Sequence, residues 1–279
     1  MSRLKDKVCV ITGATSGIGK RTAEIFAAEG AKLVIAGRRE AEGRAIARAL
    51  GGACDFVRTD VTLEAEVEAL IAFALEKHGR IDCLFNNAGG PGPVGGIEEI
   101  PVAGFDAAMA VLVRSVVLGM KHAAPAMLRQ KSGSIINNGS VAAHRAGYSS
   151  SLVYSAAKAA VVHLTRCVAM QLGEGGVRVN SISPGFIPTG IFGKALGMAA
   201  EEAERSAETV KSGLGRVQPI PRAGLTDDVA LAAVFLASDD STFVNGHDLV
   251  VDGGMIGGRG WTQHQETLRG LKRAFGLDG

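Results

Sequence analysis

The chain has 279 residues, 47% of them hydrophobic, and a formal net charge of +2 from 30 basic and 28 acidic side chains. That length suits one large α/β domain, which buries roughly 75% of its unfolded-chain surface and needs no covalent staples. Charges of both signs are interspersed without a basic block, so no nucleic-acid partner is expected.

The opening MSRLKDKVCVITG enters a predicted strand, Val8–Thr12, almost at once and lacks the apolar stretch of a signal peptide. TGATSGIG follows, placing Gly13, Gly17 and Gly19 with Thr15, Ser16 and Ile18 at a strand-to-helix turn. Glycine there permits tight turning and close approach of phosphate, and the next helix, Lys20–Glu29, presents free N–H groups to a pyrophosphate. The spacing is G-x-x-x-G-x-G rather than the more familiar G-x-G-x-x-G. An ordinary glycine-rich turn has the same composition, but its place at the first crossover favours a dinucleotide.

The second strand, Lys32–Ala36, ends in IAGRRE. An acidic residue there would accept the ribose hydroxyls of NAD, yet the position holds Gly37, followed by Arg38 and Arg39. A guanidinium grips a 2′-phosphate, so NADP is preferred and NAD remains possible. The third strand, Ala53–Arg58, runs into Asp60 and Val61, which lie where adenine would be bound. A helix over Ala65–Lys77 leads to the fourth strand, Ile81–Asn86, and to Asn87, Ala88 and Gly89 beside the adenine ribose. Turn chemistry alone would also explain Asn-Ala-Gly.

A long helix, Phe105–Arg129, precedes a fifth strand, Ser134–Asn138, and then Ser140. The next helix, Leu152–Leu172, carries YSAAK, with Tyr154 and Lys158 four apart on one face. A cation beside a phenol favours the phenolate, and lowering a tyrosine by three pKa units takes roughly 4 kcal/mol. Such a phenol takes or gives the proton of an alcohol while a cofactor moves the hydride. A sixth strand, Arg178–Ile182, is followed by an insertion, 184–221, containing Ile191, Phe192, Leu196 and Met198. Insertions at a sheet's carboxyl edge are usually functional. The last strand, His247–Val251, ends in VDGG, and residues 255–279 form an extension expected to be helical over Trp261–Phe275.

Strands alternating with helices imply a doubly wound, mostly parallel seven-stranded Rossmann-type sheet with helices on both faces. Residues 1–254 read as one dinucleotide-binding and catalytic domain. No apolar run approaches about 20 residues, so no membrane span is expected. Cys9, Cys54, Cys83 and Cys167 are scattered, without metal-ligand spacing, and read as reduced, buried thiols of a cytoplasmic protein with no metal. His78, His122, His163 and His264 read as surface or packing residues, and Met170 and Met198 as packing, whereas His144 and Tyr148 lie in the loop between Ser140 and Tyr154 and are candidates to face substrate.

Together these motifs resemble the short-chain dehydrogenase/reductase family. The resemblance runs from about Leu4 to Gly254 through TGATSGIG, Asp60, NNAG, Ser140, YSAAK, RVN at 178–180, PGFIPT at 184–189 and VDGG. It implies Tyr154 as general acid/base, Lys158 as its electrostatic partner and ribose ligand, and Ser140 as the polarising hydroxyl. Asn86, Ala88 and Gly89 would flank the cofactor, and Pro184, Gly185, Ile187 and Thr189 would meet its nicotinamide end. The implied reaction is hydride transfer between NAD(P) and a secondary alcohol or ketone, apolar or alicyclic, by a homotetramer. A dinucleotide-binding regulatory protein with little turnover is the alternative. One position departs: the family's helix asparagine aligns with Leu112, and Ser115 one turn on is a candidate substitute.

Overall fold

Seven short β-branched runs pair in parallel, in the order β3-β2-β1-β4-β5-β6-β7. The structure is a computed structural model, and it describes residues 2–277. In chain order the elements are β1 (Val8–Thr12), α1 (Gly17–Ala28), β2 (Lys32–Gly37), α2 (Glu40–Leu50), β3 (Cys54–Arg58), α3 (Glu64–His78) and β4 (Cys83–Asn86). Then come α4 (Val102–Met109), α5 (Ser115–Gln130), β5 (Gly133–Asn138), α6 (Leu152–Gly173) and β6 (Val177–Pro184). The remainder comprises α7 (Ile191–Ala195), α8 (Ala200–Gly213), α9 (Thr226–Ala237), β7 (Asp248–Val251) and α10 (Trp261–Ala274). All six pairings are parallel, so the sheet has no antiparallel strand among the described residues.

Successive strand residues face opposite sides and feed two cores. Cys9 and Ile11 join Phe26 of α1 and Val229 of α9 on one face. Val10 joins Leu70 of α3, Met120 of α5 and Val161 of α6 on the other. Strand order reverses between β1 and β4, opening the crevice where such sheets hold ligands. Buried polar groups pin its floor: Asn86 donates to Asn137 at 2.9 Å, and Asn137 donates to Thr165 of α6 at 2.9 Å. A satisfied buried network of this kind fixes β4, β5 and α6 in one register.

Three details differ from the sequence expectations. The helix expected over Phe105–Arg129 is interrupted by a π-helical stretch, Ala110–Arg114, between α4 and α5. The continuous segment Val102–Gln130 is long and apolar enough to cross a membrane by length and composition, although no single run predicted that. Here it packs against α3, α6, β4 and β5. Its apolar content serves a core face and a second, exposed face that carries Val117 and Leu128. Lastly, Cys9, Cys54 and Cys83 are buried, but Cys167 is exposed on α6, as is Met170 at 65%. Both lie on the helix face turned away from the sheet.

Candidate active site

Backbone geometry at the end of β1 builds the larger of two adjoining cavities, about 350 Å³. Gly13 and Gly17 hold φ of +66° and +52°, which side-chain-bearing residues rarely adopt. A Cβ on Gly13 would come within 2.6 Å of the Ala88 backbone, and one on Gly19 would meet Gly13 and Asn87. Ser16, the residue before α1, is extended and makes no side-chain cap, leaving the first N–H groups of the helix free of a side-chain partner. A tight glycine turn at a helix N-terminus whose N–H groups lack a side-chain cap fits a dinucleotide pyrophosphate.

The walls follow from the strand ends. Thr12 accepts hydrogen bonds from the Asn87 and Ala88 N–H groups at 3.1 Å each, and Asn138 donates to the Asn87 side chain at 3.1 Å. Asp60 accepts from the Thr62 N–H at 3.0 Å and the Thr62 hydroxyl at 2.8 Å. Burial raises the Asp60 carboxyl, but those bonds and the Arg38 and Arg58 charges outweigh it and keep the group below its ordinary range. The cavity brings together Gly13, Thr15, Ser16, Gly17, Ile18, Gly19, Arg38, Arg39, Asp60, Val61, Asn87, Ala88, Gly89, Tyr154, Lys158 and Thr189. Pro184, Gly185 and Ile187 line the second cavity instead, and Asn86 is buried and lines neither. Lining residues that the sequence did not single out include Asn138, Val111, Lys194 and Glu204. Only Asn138, two before Ser140, carried a positional signal.

Ser140, Tyr154 and Lys158 converge where the cavities meet. Ser140 caps a short turn, its hydroxyl accepting from the Ala142 N–H at 3.2 Å while its own N–H donates to Ser183 at 3.2 Å. Ser151 caps α6 and accepts from the Tyr154 N–H at 3.1 Å, which fixes the first turn carrying the phenol. The Lys158 ammonium donates to the Asn138 carbonyl at 2.6 Å and lies 5.6 Å from the Tyr154 ring centre.

Burial raises the Tyr154 phenol above its ordinary value of 10, and the Ser140 hydrogen bond only opposes this. Burial also lowers Lys158 to about 8. The spacing alone suggested a phenol made more acidic by its lysine. Desolvation wins here because it penalises phenolate and ammonium alike.

The second cavity, about 170 Å³, is lined by Tyr148, Ser149, Phe186, Ile191, Phe192 and Ala195 among others. Its aromatic wall runs from Tyr148 to Phe186, 6.1 Å between ring centres, and on to Phe192 at 6.0 Å. Of the apolar insertion residues, Ile191 and Phe192 reach this wall, whereas Leu196 is 79% exposed.

The remaining candidates have other partners. His144 does not line either cavity; its Nε2 lies 2.7 Å from the buried Asp248 carboxylate of β7. Leu112, 1% exposed, packs on Val153 and Ala157 of α6 and also lines the glycine-cradled cavity. The Ser115 hydroxyl donates to the Val111 carbonyl at 2.7 Å within its own helix, and the residue lines neither cavity.

A doubly wound sheet with a glycine cradle at its switch point, beside a second, largely apolar cavity, defines a Rossmann-type oxidoreductase. Residues 13–256 match the family model described as enoyl-(acyl carrier protein) reductase. The chain is 39% identical over 259 residues to (+)-borneol dehydrogenase 2 of Salvia officinalis, covering 90% of each. It is 39% identical over 271 residues to short-chain dehydrogenase reductase ATA1 of Arabidopsis thaliana, covering 96% of each. A crystal structure of levodione reductase superposes with a TM-score of 0.83 at 35% identity, covering 92% of this chain and all of that one. The chain belongs to the short-chain dehydrogenase/reductase family and is an NAD(P)-dependent enzyme acting on CH–OH groups.

Proposed function

We propose that the enzyme interconverts an apolar, alicyclic secondary alcohol and its ketone, with Ser140, Tyr154 and Lys158 as the catalytic residues. The observation carrying this reading is the meeting of these three side chains at the junction of the glycine-cradled cavity and the aromatic one. The substrate class draws on the Tyr148, Phe186 and Phe192 wall. It draws also on the names of relatives that act on borneol and levodione, both cyclic.

In this reading Ser140 holds the substrate oxygen, donating to a ketone and accepting from an alcohol. When bound, NAD(P) would supply or accept the hydride. Tyr154 gives its proton to the oxygen during reduction and takes it back during oxidation. Lys158 stabilises the phenolate by charge and anchors α6 to the strand that carries Ser140. Phe186, Ile191 and Phe192 exclude water from the reacting carbon.

NADP is the preferred cofactor, with NAD accepted. Position 37 supports this: it is a glycine with no carboxylate for the ribose, and a Cβ there would lie 2.8 Å from the Thr15 methyl, so a side chain would have to displace Thr15. Arg38, exposed at the cavity wall, is the group suited to a 2′-phosphate. Residues 1–254 act as one catalytic domain, with 184–221 as the substrate loop and 255–279 as an appended segment. Exposed apolar residues on the long helices, Val117, Leu128 and Leu152, suit assembly as a homotetramer. Four free cysteines suit a reducing compartment such as the cytoplasm.

The test is an absorbance screen at the nicotinamide band, with NADP(H) and NAD(H) against cyclic and acyclic alcohols and ketones. Turnover of cyclic ketones ahead of sugars and acyl thioesters is expected. Preference for a sugar or thioester would contradict the substrate assignment.

A further inference from the structure

A carboxylate stands in the wall of a cavity suited to an anionic cofactor. Glu204 of α8 lines that cavity together with Arg38, Arg39 and Lys194. Its Oε1 is 2.9 Å from the Lys194 ammonium and 3.6 Å from the Arg39 guanidinium. Arg39 is further tethered by a 3.2 Å bond from its Nε to the Thr15 hydroxyl, inside the glycine loop. Packing fixes the carboxylate in place. Gly190 lies against it, where a Cβ would come 2.7 Å from the Glu204 carboxyl carbon. Ala203, fully buried, abuts Gly193, so α7 and α8 are joined backbone to backbone. Burial raises the Glu204 carboxyl, yet hydrogen bonds from Lys194 and Ser16 and the charges of Lys194 and Arg39 outweigh it, and it stays ionised at neutral pH.

Two of the cations nearest the glycine loop are therefore partnered by a carboxylate on the substrate loop. A cofactor phosphate approaching Arg39 and Lys194 meets both their attraction and the repulsion of Glu204. The repulsion grows with ligand charge, so a 2′-phosphate, carrying up to two more negative charges, suffers more than NAD.

We propose that Glu204 is a specificity-determining residue for the cofactor: it competes with phosphate for Arg39 and Lys194, and so holds back the preference for NADP over NAD. The inference rests on the reading of this cavity as the dinucleotide site.

The experiment measures dissociation constants of NADP and NAD by isothermal titration on wild-type protein, Glu204→Gln and Glu204→Ala, at low and high salt. The Gln variant keeps the size and helix propensity of the side chain; the Ala variant guards against a new amide contact. In both variants the ratio of the NAD to the NADP constant should rise roughly tenfold, as removal of one nearby like charge implies. That rise should shrink at 0.5 M salt. An unchanged ratio, or equal tightening of both cofactors, overturns the inference while leaving the dinucleotide site standing. Failure of wild-type protein to bind either dinucleotide overturns the reading of the cavity, and this inference with it.

Discussion

The Lys158 ammonium donates a 2.6 Å hydrogen bond to the backbone carbonyl of Asn138, two residues before Ser140. Helix α6 and the serine strand are thereby joined at the point where both cavities open. The same lysine is 4% exposed, and burial lowers it to about 8. A buried ammonium is a cost to folding.

That cost has a pH signature. The folded-state value lies below the unfolded value of 10.5, so the unfolded chain binds more protons between about pH 8 and 10.5. Stability from this group therefore rises with pH across that window, and the penalty is fully present below pH 8. Lys158→Met removes the titration. Relative to that variant, wild-type protein should gain on the order of 3 kcal/mol between pH 8 and 10.5. Urea unfolding of both proteins at pH 7, 9 and 10.5 measures the difference. A difference independent of pH would mean that Lys158 titrates normally.

Leu112 should behave as core. It is 1% exposed against Val153 and Ala157 of α6, at the edge of the glycine-cradled cavity. Leu112→Asn is expected to destabilise by about 2–4 kcal/mol, as burying an amide among apolar groups does. The pH profile of turnover should keep its shape, because Lys158 already has a protein partner in Asn138. A faster enzyme with a shifted profile would show that position 112 governs proton supply.

Asp248 links the late strand to the serine loop. Its carboxylate accepts from Ser181 and, at 3.0 Å, from Ser183, and it pairs with His144 at 2.7 Å. Ser183 in turn accepts from the Ser140 N–H. Asp248→Asn should lower kcat by about tenfold through misplacement of Ser140, with dinucleotide affinity unchanged. Titration calorimetry alongside steady-state kinetics separates the two effects. Loss of cofactor affinity with kcat preserved would contradict this linkage.

The C-terminal helix α10 has no buried residue in the protomer, and Trp261, Leu271 and Phe275 are 75%, 51% and 74% exposed. Deleting the residues after Gly258 should change protomer stability by less than about 0.5 kcal/mol. It should reduce the assembled mass in sedimentation or raise the KM for substrate. If mass and KM both stay the same, the extension has no part in either.

Much of this architecture was legible in the sequence because its signals are local. β-branched runs gave the strands to within two residues, and the glycine spacing marked the first crossover. YSAAK marked a helix face, and Ser140 stands at its strand end as expected. What escaped depends on tertiary contact. Glu204 and Lys194 reach the cavity because α7 and α8 fold back over it, and a charged helical face in an insertion gives no hint of that. His144 turned to Asp248, more than a hundred residues away, which no local pattern encodes. The direction of the Tyr154 displacement also depends on burial, which spacing along a helix does not report.

The most direct test is stopped-flow single-turnover hydride transfer in Tyr154→Phe beside wild-type protein, with cofactor affinity measured on both. Transfer slowed at least about a hundredfold, with the dissociation constant of the dinucleotide within a factor of three of wild type, is the predicted result. Transfer at the wild-type rate would remove the phenol from the reaction and contradict the account.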